Sequence, residues 1–293
     1  MATNQPSLRW TVPPPRGWRA EQLQGEVLSE SGMSGRIPEV NIAVSPSLVS
    51  GNPSLSAHEV KFLITRDRAA GVLDWAKSRF QTDPYSRPEA GGGYSISSLY
   101  LDTPDFAVYR KHGSFGRAKF RIRRYGVSKR VFLERKLKVG DKVSKRRSDL
   151  AIDELPGLDL TGAKQSGGSA AWYEKRLHLR GLRVVCQISY ERIALVGSNE
   201  WGPLRLTLDE AVHVVRMEEP RFAEPGTGEL LLENHMILEL KFRGKMPAVF
   251  KELAQFLTLQ PGAVSKYRLG LFKLGCAPDL QVNGGGRVAP HHA

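Results

Sequence analysis

The chain has 293 residues, 41% hydrophobic and 25% charged, which is enough for one large or two modest domains with a real core. Forty-three Lys and Arg against 30 Asp and Glu leave a net charge of +13, a basic bias on an otherwise ordinary globular composition. Two cysteines, Cys186 and Cys276, exclude a disulfide framework and lack the CxxC spacing of a zinc site, and no apolar run approaches the roughly 20 residues that cross a bilayer.

The opening MATNQPSLRW has no apolar signal-peptide core, so the expected location is cytoplasmic, with membrane association only through a partner. Residues 1 to about 56 are rich in Pro, Gly and Ser and carry no apolar period; they read as a disordered N-terminal arm. From there to about residue 275 short alternating stretches dominate. HEVKFLI (His58 to Ile64), SSLYLD (Ser97 to Asp102), AKFRIRRY (Ala118 to Tyr125), VFLERKLK (Val131 to Lys138), QISYERIAL (Gln187 to Leu195), PLRLTLD (Pro203 to Asp209) and ILELKF (Ile237 to Phe242) read as half-buried strands. With segments near Arg183 and Val212, about eight strands are expected. Helices are fewer. Thr65 caps a stretch through Phe80, Pro104 starts a turn, and Ser169 precedes a short helix to about His178. Pro247 opens a run to Leu257, and Ser265 caps a last helix that stops at Gly275. Residues 276–293, with three consecutive glycines, read as a flexible C-terminal tail. The fold class expected is α+β, an antiparallel eight-stranded barrel or sandwich with flanking helices and no second domain.

The charge is concentrated. Between Arg117 and Arg147 lie fourteen Lys or Arg against Glu134 and Asp141, which is +12 of the total. Alternation places Lys119, Arg121 and Arg123 on one strand face, and Glu134, Lys136 and Lys138 on another. Glu59 with Lys61, Tyr190 with Arg192, Arg205 with Thr207 and Asp209, and Glu239 with Lys241 repeat the pattern. Each pattern alone is equally that of a solvated strand face. Collectively they are harder to place, because like charges opposite each other destabilise a sheet. Two such charges about 6 Å apart repel by roughly 3 kcal/mol at an effective dielectric of about 20. If the strands close with these faces inward, the lumen becomes a cationic tunnel and the apolar faces turn outward beneath helices.

The ordered set of Glu59 to Lys61, SLYLDTPDFAVY (Ser98 to Tyr109), KFRIRRY, FLERKLK with KVSKRR (Lys142 to Arg147), YER (Tyr190 to Arg192), RLTLD (Arg205 to Asp209), LELK (Leu238 to Lys241) and SKYRLG (Ser265 to Gly270) resembles a known family. It is the polyphosphate polymerase domain of the vacuolar transporter chaperone complex, within the triphosphate tunnel metalloenzyme (CYTH-like) superfamily. The resemblance covers about residues 56 to 275. It implies a tunnel of eight antiparallel strands that clamps a nucleotide triphosphate and a growing phosphate chain. By position, Lys61, Arg121, Arg123, Lys136, Arg192, Lys241 and Lys266 become phosphate ligands, with Arg121, Arg123, Lys136, Arg192 and Lys266 carrying catalysis. Lys119 and either Lys142 or Lys145 join the binding set, and Tyr190 and Ser265 add hydrogen bonds. Glu239 becomes the main ligand for Mn²⁺ or Mg²⁺, with Glu134 and Asp209 as further candidates. The inositol-phosphate-sensing module and membrane spans of the eukaryotic assemblies are not in this sequence, so their regulation and translocation do not transfer.

The expected activity is transfer of the γ-phosphate of ATP to inorganic polyphosphate with release of ADP. A tripolyphosphatase or nucleoside triphosphatase using the same lumen is the first alternative. A non-catalytic polyanion binder is the second. Nucleic acid is disfavoured as a partner, because the basic block holds few aromatics (Phe120, Tyr125, Phe132) and shares its faces with carboxylates. No GxxxxGK[ST] loop occurs, Gly91 to Gly93 follow no strand, and the histidines form no HExxH pair. Ser265 and Lys266 open a helix whose free N–H groups favour an anion, although Ser265 is equally a plain cap. Oligomeric state has no signature in the sequence.

Overall fold

The computed structural model describes residues 57–86, 92–139, 142–159, 168–259, 261–262 and 264–276. The expected N-terminal arm, the C-terminal tail beyond Cys276, and Gly91 therefore lie outside the described residues. In chain order the elements are β1 (Ala57–Thr65), α1 (Arg66–Ala76), β2 (Gln81–Thr82), β3 (Gly93–Asp102), α2 (Ala107–Arg110), β4 (Ala118–Tyr125), β5 (Arg130–Val139) and β6 (Lys142–Ala151). There follow α3 (Ala171–Arg180), β7 (Arg183–Asn199), β8 (Gly202–Arg216), β9 (Glu229–Leu230), β10 (His235–Arg243), α4 (Ala248–Phe256) and α5 (Lys266–Lys273).

Eight long strands pair antiparallel in the order β1-β10-β8-β7-β3-β4-β5-β6, and the short β2 and β9 add to β7 and β8. No ladder joins β1 to β6 among the described residues, so the expected barrel is not closed by hydrogen bonds. The sheet nevertheless curls strongly, since Lys136 on β5 reaches Glu59 on β1 at 3.2 Å although five strands lie between them in the ladder. Side-chain charge, not backbone pairing, spans that seam.

Polarity follows the alternation. Val60, Phe62 and Ile64 of β1, Leu204, Leu206 and Leu208 of β8 and Leu238, Leu240 and Phe242 of β10 pack outward beneath α1 and α4, against Val72, Trp75, Phe250 and Leu253. Leu99, Phe120, Ile122 and Leu133 do the same beneath α3, where Tyr173 and Leu177 are fully buried. The charged faces are left inside the curl.

Helix starts follow the sequence closely. Thr65 caps α1, its hydroxyl accepting from the Arg68 N–H at 3.5 Å, and α1 ends at Ala76, four residues short of Phe80. Gly181, at φ +58°, terminates α3 in the left-handed conformation that glycine tolerates best. Ser265 occupies the N-cap position of α5 without a side-chain capping bond. Strand β6 was not expected. Its KVSKRRSDLA carries cations on both faces, the pattern of a charged sheet edge, so no period-two apolar signal betrays it.

Helix α5 enters the curl. Gly270 lies so close to the lumenal side chains of Val214 and Ile188 that an added Cβ would stand 2.9 Å and 3.2 Å from them. Tyr267 stacks on Tyr100 with centroids 5.0 Å apart, and its hydroxyl donates to Asp102, which also accepts from the Val108 and Tyr109 N–H groups. Overpacking here should cost about 1–3 kcal/mol. Gly270→Val is therefore expected to lower the thermal unfolding midpoint by several degrees, as about 1 kcal/mol moves a domain of this size by roughly 2–4 °C; an unchanged midpoint in calorimetry would contradict the placement of α5.

Candidate phosphate-binding site

Strand register sets the lumenal side chains opposite one another. Lys61 on β1 faces Glu239 on β10, and Glu59 faces Lys241. Lys61 Nζ lies 3.0 Å from Glu59 and 3.3 Å from Glu239, while Lys241 Nζ lies 2.6 Å from Glu239 and 3.8 Å from Glu59. Lys136 joins this cluster through Glu59.

A second cluster lies on β7, β8 and α5. Arg192 grips Asp209 with both arms, Nε to Oδ1 at 2.6 Å and Nη2 to Oδ2 at 2.8 Å. Lys266, the first residue of α5, adds a third contact to Asp209 Oδ2 and sits 4.5 Å from the Tyr190 ring centre. On the β4–β6 wall Glu134 takes Arg121 at 2.6 Å, Lys145 at 2.7 Å and Arg147 at 3.5 Å.

Arg123 differs from these. It is 6% exposed, donates from Nε to Ser98 Oγ at 3.1 Å and from Nη2 to Tyr190 Oη at 3.2 Å, and pairs with no carboxylate among the described residues. Lys119 likewise forms no ion pair with a described residue, and it stands opposite Lys136. Ten lumenal cations (Lys61, Lys119, Arg121, Arg123, Lys136, Lys145, Arg147, Arg192, Lys241 and Lys266) thus face four carboxylates, Glu59, Glu134, Asp209 and Glu239. Arg205 is compensated separately by Asp83 at 2.7 Å.

The titration of these groups reports the same imbalance. Burial alone would raise the Asp209 carboxyl, but Arg192 and Lys266 outweigh it and hold it at about 2. Burial and Glu239 would raise Glu59, yet Lys61, Lys241 and Lys136 bring it to about 2. Burial opposes ionisation of Glu134 and Glu239 too, and neighbouring cations hold both well below the usual carboxylate range. Lys119 moves the other way. Its side chain has water access, yet the walls around it, and Lys61, Lys136 and Arg121, lower its ammonium to about 8.

Of the expected residues, Lys61, Lys119, Arg121, Arg123, Lys136, Lys145, Tyr190, Arg192, Lys241 and Lys266 come together on the lumenal face. Lys142 lies at the start of β6 with its side chain outside the described residues, and Ser265 sits at the N-cap of α5 with no side-chain capping bond. The three expected metal ligands are not gathered. Asp209 and Glu239 share the face of β8 and β10, whereas Glu134 is on the β4–β6 wall inside its own cation cluster. Among the described residues no three His, Cys, Asp or Glu side chains form a ready-made cage. Glu59 and Glu239, both on Lys61 and Lys241, are two hard oxygen donors of the kind that hold Mg²⁺ or Mn²⁺ jointly with substrate phosphates. Three contributors escaped sequence reasoning as site residues: Glu59, Arg147 and Ser98. Parity with Lys61 and Lys145 was the available signal for the first two.

A curled antiparallel sheet with flanking helices and an enclosed excess of cations has the charge and geometry to accommodate phosphate-rich anions inside its fold. The chain belongs to the VTC domain family, whose match spans residues 56–274. That membership supports a triphosphate-tunnel enzyme acting on nucleotide or polyphosphate substrates. Similar solved structures include a candidate adenylate cyclase from Bacillus halodurans, 15% identical at a TM-score of 0.42, covering 71% of this chain and 92% of that one. A candidate adenylyl cyclase from Hippeastrum, described as having a dominant triphosphatase activity, is 16% identical at a TM-score of 0.42, covering 75% of this chain and 96% of its own. The PH1819 protein from Pyrococcus horikoshii OT3 is 16% identical, also at 0.42, covering 74% and 99%. Among curated proteins, none matches. No helix among the described residues is long and apolar enough to cross a membrane.

The depressed carboxyl groups set an acid limit. A carboxylate whose folded pKa is below its unfolded value stabilises the fold above the unfolded pKa and loses that contribution as pH falls through the folded one. For Asp209 the shift from 3.8 to about 2 is worth about 2 kcal/mol. Stability to urea should therefore hold constant between pH 7 and 5 with respect to these groups and fall between about pH 4 and pH 2; the fall should shrink in Asp209→Asn, a variant already destabilised at pH 7 because Arg192 and Lys266 lose their shared partner.

Proposed function

We propose that this protein is a polyphosphate polymerase that transfers the γ-phosphate of ATP to the end of an inorganic polyphosphate chain. A terminal oxygen of the chain attacks the γ-phosphorus, the bond to the β–γ bridging oxygen breaks, and ADP leaves with that oxygen. The observation that carries the reading is Arg123, a buried guanidinium that donates to two hydroxyls beside the Arg121 cation and, although Glu134 acts on it, forms no ion pair with a described carboxylate. Burying such a charge unpaired is costly, and a phosphate supplies the missing partner in bidentate form.

The roles of the other residues follow from their positions. Arg123 and Arg121 neutralise the equatorial oxygens of the transferred group, where phosphoryl transfer needs charge stabilisation more than covalent help. Arg192 and Lys266 bind the neighbouring phosphates, with Asp209 keeping both aimed inward. Lys61, Lys136, Lys241, Lys119 and Lys145 act along the phosphate chain as point charges. Tyr190 orients Arg123 through its hydroxyl. Glu239, with Glu59, would hold Mn²⁺ or Mg²⁺, which supplies further positive charge to the phosphate oxygens.

The hydrolytic alternative has one observation in its favour. Helix α5 packs on the lumenal face of β7 and β8, where Tyr267 and Leu271 are buried and narrow the lumen. A triphosphatase needs a single opening, while a polymer must also leave.

Incubation with ATP and Mn²⁺ should yield ADP and a ladder of phosphate chains on a polyacrylamide gel, and both should vanish with a chelator. Arg123→Ala and Lys266→Ala should each reduce the product at least a hundredfold, in the range seen when a single transition-state charge donor is removed. Free phosphate in place of the ladder would instead support hydrolysis, and ATP turnover by Arg123→Ala at the wild-type rate would remove the basis of either reading.

A further inference from the structure

Four arginines converge on the outer side of the wall whose inner side carries Glu134 and Lys136. Arg135 on β5 stands directly opposite Arg146 on β6. Arg176 and Arg180 lie one turn apart on α3, which packs on this outer side through Tyr173 against Phe120 and Trp172 onto Ser148, and their charges act on Arg135 together with that of Arg146. No described carboxylate pairs with any of the four. Arg135 Nε is buried with no hydrogen-bond partner among the described residues, an unmet donor that burial makes unfavourable.

A solvated surface does not account for this arrangement. Like charges directly opposite across a ladder destabilise it, and elsewhere the lumen offsets the same problem with Glu134, Glu59 and Asp209. Here no described carboxylate pairs with the arginines. The cluster is also pre-positioned. Arg146 lies on the Trp172 ring at 4.3 Å, Arg180 lies on Phe115 at 5.1 Å and donates to Ser114 Oγ at 3.2 Å, and Trp172 is itself fixed by its bond to Ser148 Oγ at 2.9 Å. These contacts aim the guanidinium planes and leave both rings occupied.

We infer that this outer face of β5, β6 and α3 is a second anion site, distinct from the lumen, that binds a run of closely spaced phosphates in an inorganic polyphosphate chain. Cross-strand and one-turn neighbours root these side chains roughly 5–6 Å apart at Cβ, in two rows, so that several phosphates of one chain can be met together. Nucleic acid suits the site less well, because the two rings that could stack bases are already covered by arginine. The inference shares its ligand class with the proposed function but not its residues, and it is read by binding, not turnover.

The test starts from the Arg123→Ala protein, whose lumen is impaired, and compares it with the same protein carrying R176Q and R180Q. Long-chain inorganic polyphosphate should bind the first and lose about tenfold in affinity on the second, with a shallower dependence on salt. R146Q in the same background should weaken binding by severalfold, and melting curves should show all variants folded. In the otherwise wild-type chain, R176Q/R180Q should leave tripolyphosphate binding to the lumen unchanged. Equal polyphosphate affinity with and without the α3 arginines overturns the site, as does complete loss of binding in Arg123→Ala alone. A single-stranded oligonucleotide that binds as tightly as polyphosphate assigns the face to nucleic acid instead. Absence of polymer synthesis from ATP would sink the polymerase reading and leave this result standing.

Discussion

Mutual repulsion among the enclosed cations is the constraint that the rest of the structure answers. At an effective dielectric of about 20, two unit charges 4 Å apart interact by about 4 kcal/mol, so ten cations inside one curl of sheet would push its walls apart. Each lumenal carboxylate counters this by tying several elements together. Glu59 links β1, β5 and β10; Glu134 links β4, β5 and β6; Asp209 links β7, β8 and α5; Glu239 links β10 and β1. They brace the walls and aim the cations without neutralising the site. The remainder, concentrated at Arg123 and Lys119, is positive charge that forms no ion pair with a described residue.

That interior dictates an inverted exterior. A sheet with a charged concave face must bury its apolar residues on the convex one, and α1, α3 and α4 cover that face with Val72, Phe250, Leu253, Tyr173 and Leu177. Helix α5 is the exception, since it packs inside. Its Tyr267 anchors to Asp102, and this fixes the neighbouring Lys266 over Tyr190 and onto Asp209. The helix that fills one end of the curl therefore also delivers a lumenal cation.

Where one strand face is apolar, the sequence is readable: Val60, Phe62 and Ile64, or Leu204, Leu206 and Leu208, declare both the strand and its inner partners. Parity then places Lys61, Arg121, Arg123, Arg192, Glu239 and Lys241 correctly on the lumenal face. What failed was whatever depends on pairing across distance. Strand β6 has no apolar face to declare it, so Arg147 went unnoticed beside Lys145. Register alone reveals that Glu134 faces Arg147, with Lys145 reaching it diagonally from opposite Lys136, and is thereby committed to cations on its own wall. Ser265 was read from a local preference that its side chain does not use.

The seam between the two ends of the ladder is the weakest line of the wall. Everywhere else adjacent strands share a run of backbone hydrogen bonds, whereas here Lys136 and Glu59 meet with side chains 44% and 26% exposed. An ion pair so open to water contributes at most about 1 kcal/mol and weakens with salt. Among the described residues, β1 and β6 share no such run of backbone hydrogen bonds. A phosphate chain running along Lys136, Lys241 and Lys61 would compete directly with Glu59 for all three lysines. Glu59 is thus the carboxylate shared by the lysines on both sides of the seam, while the hydrogen-bonded remainder of the sheet does not depend on it.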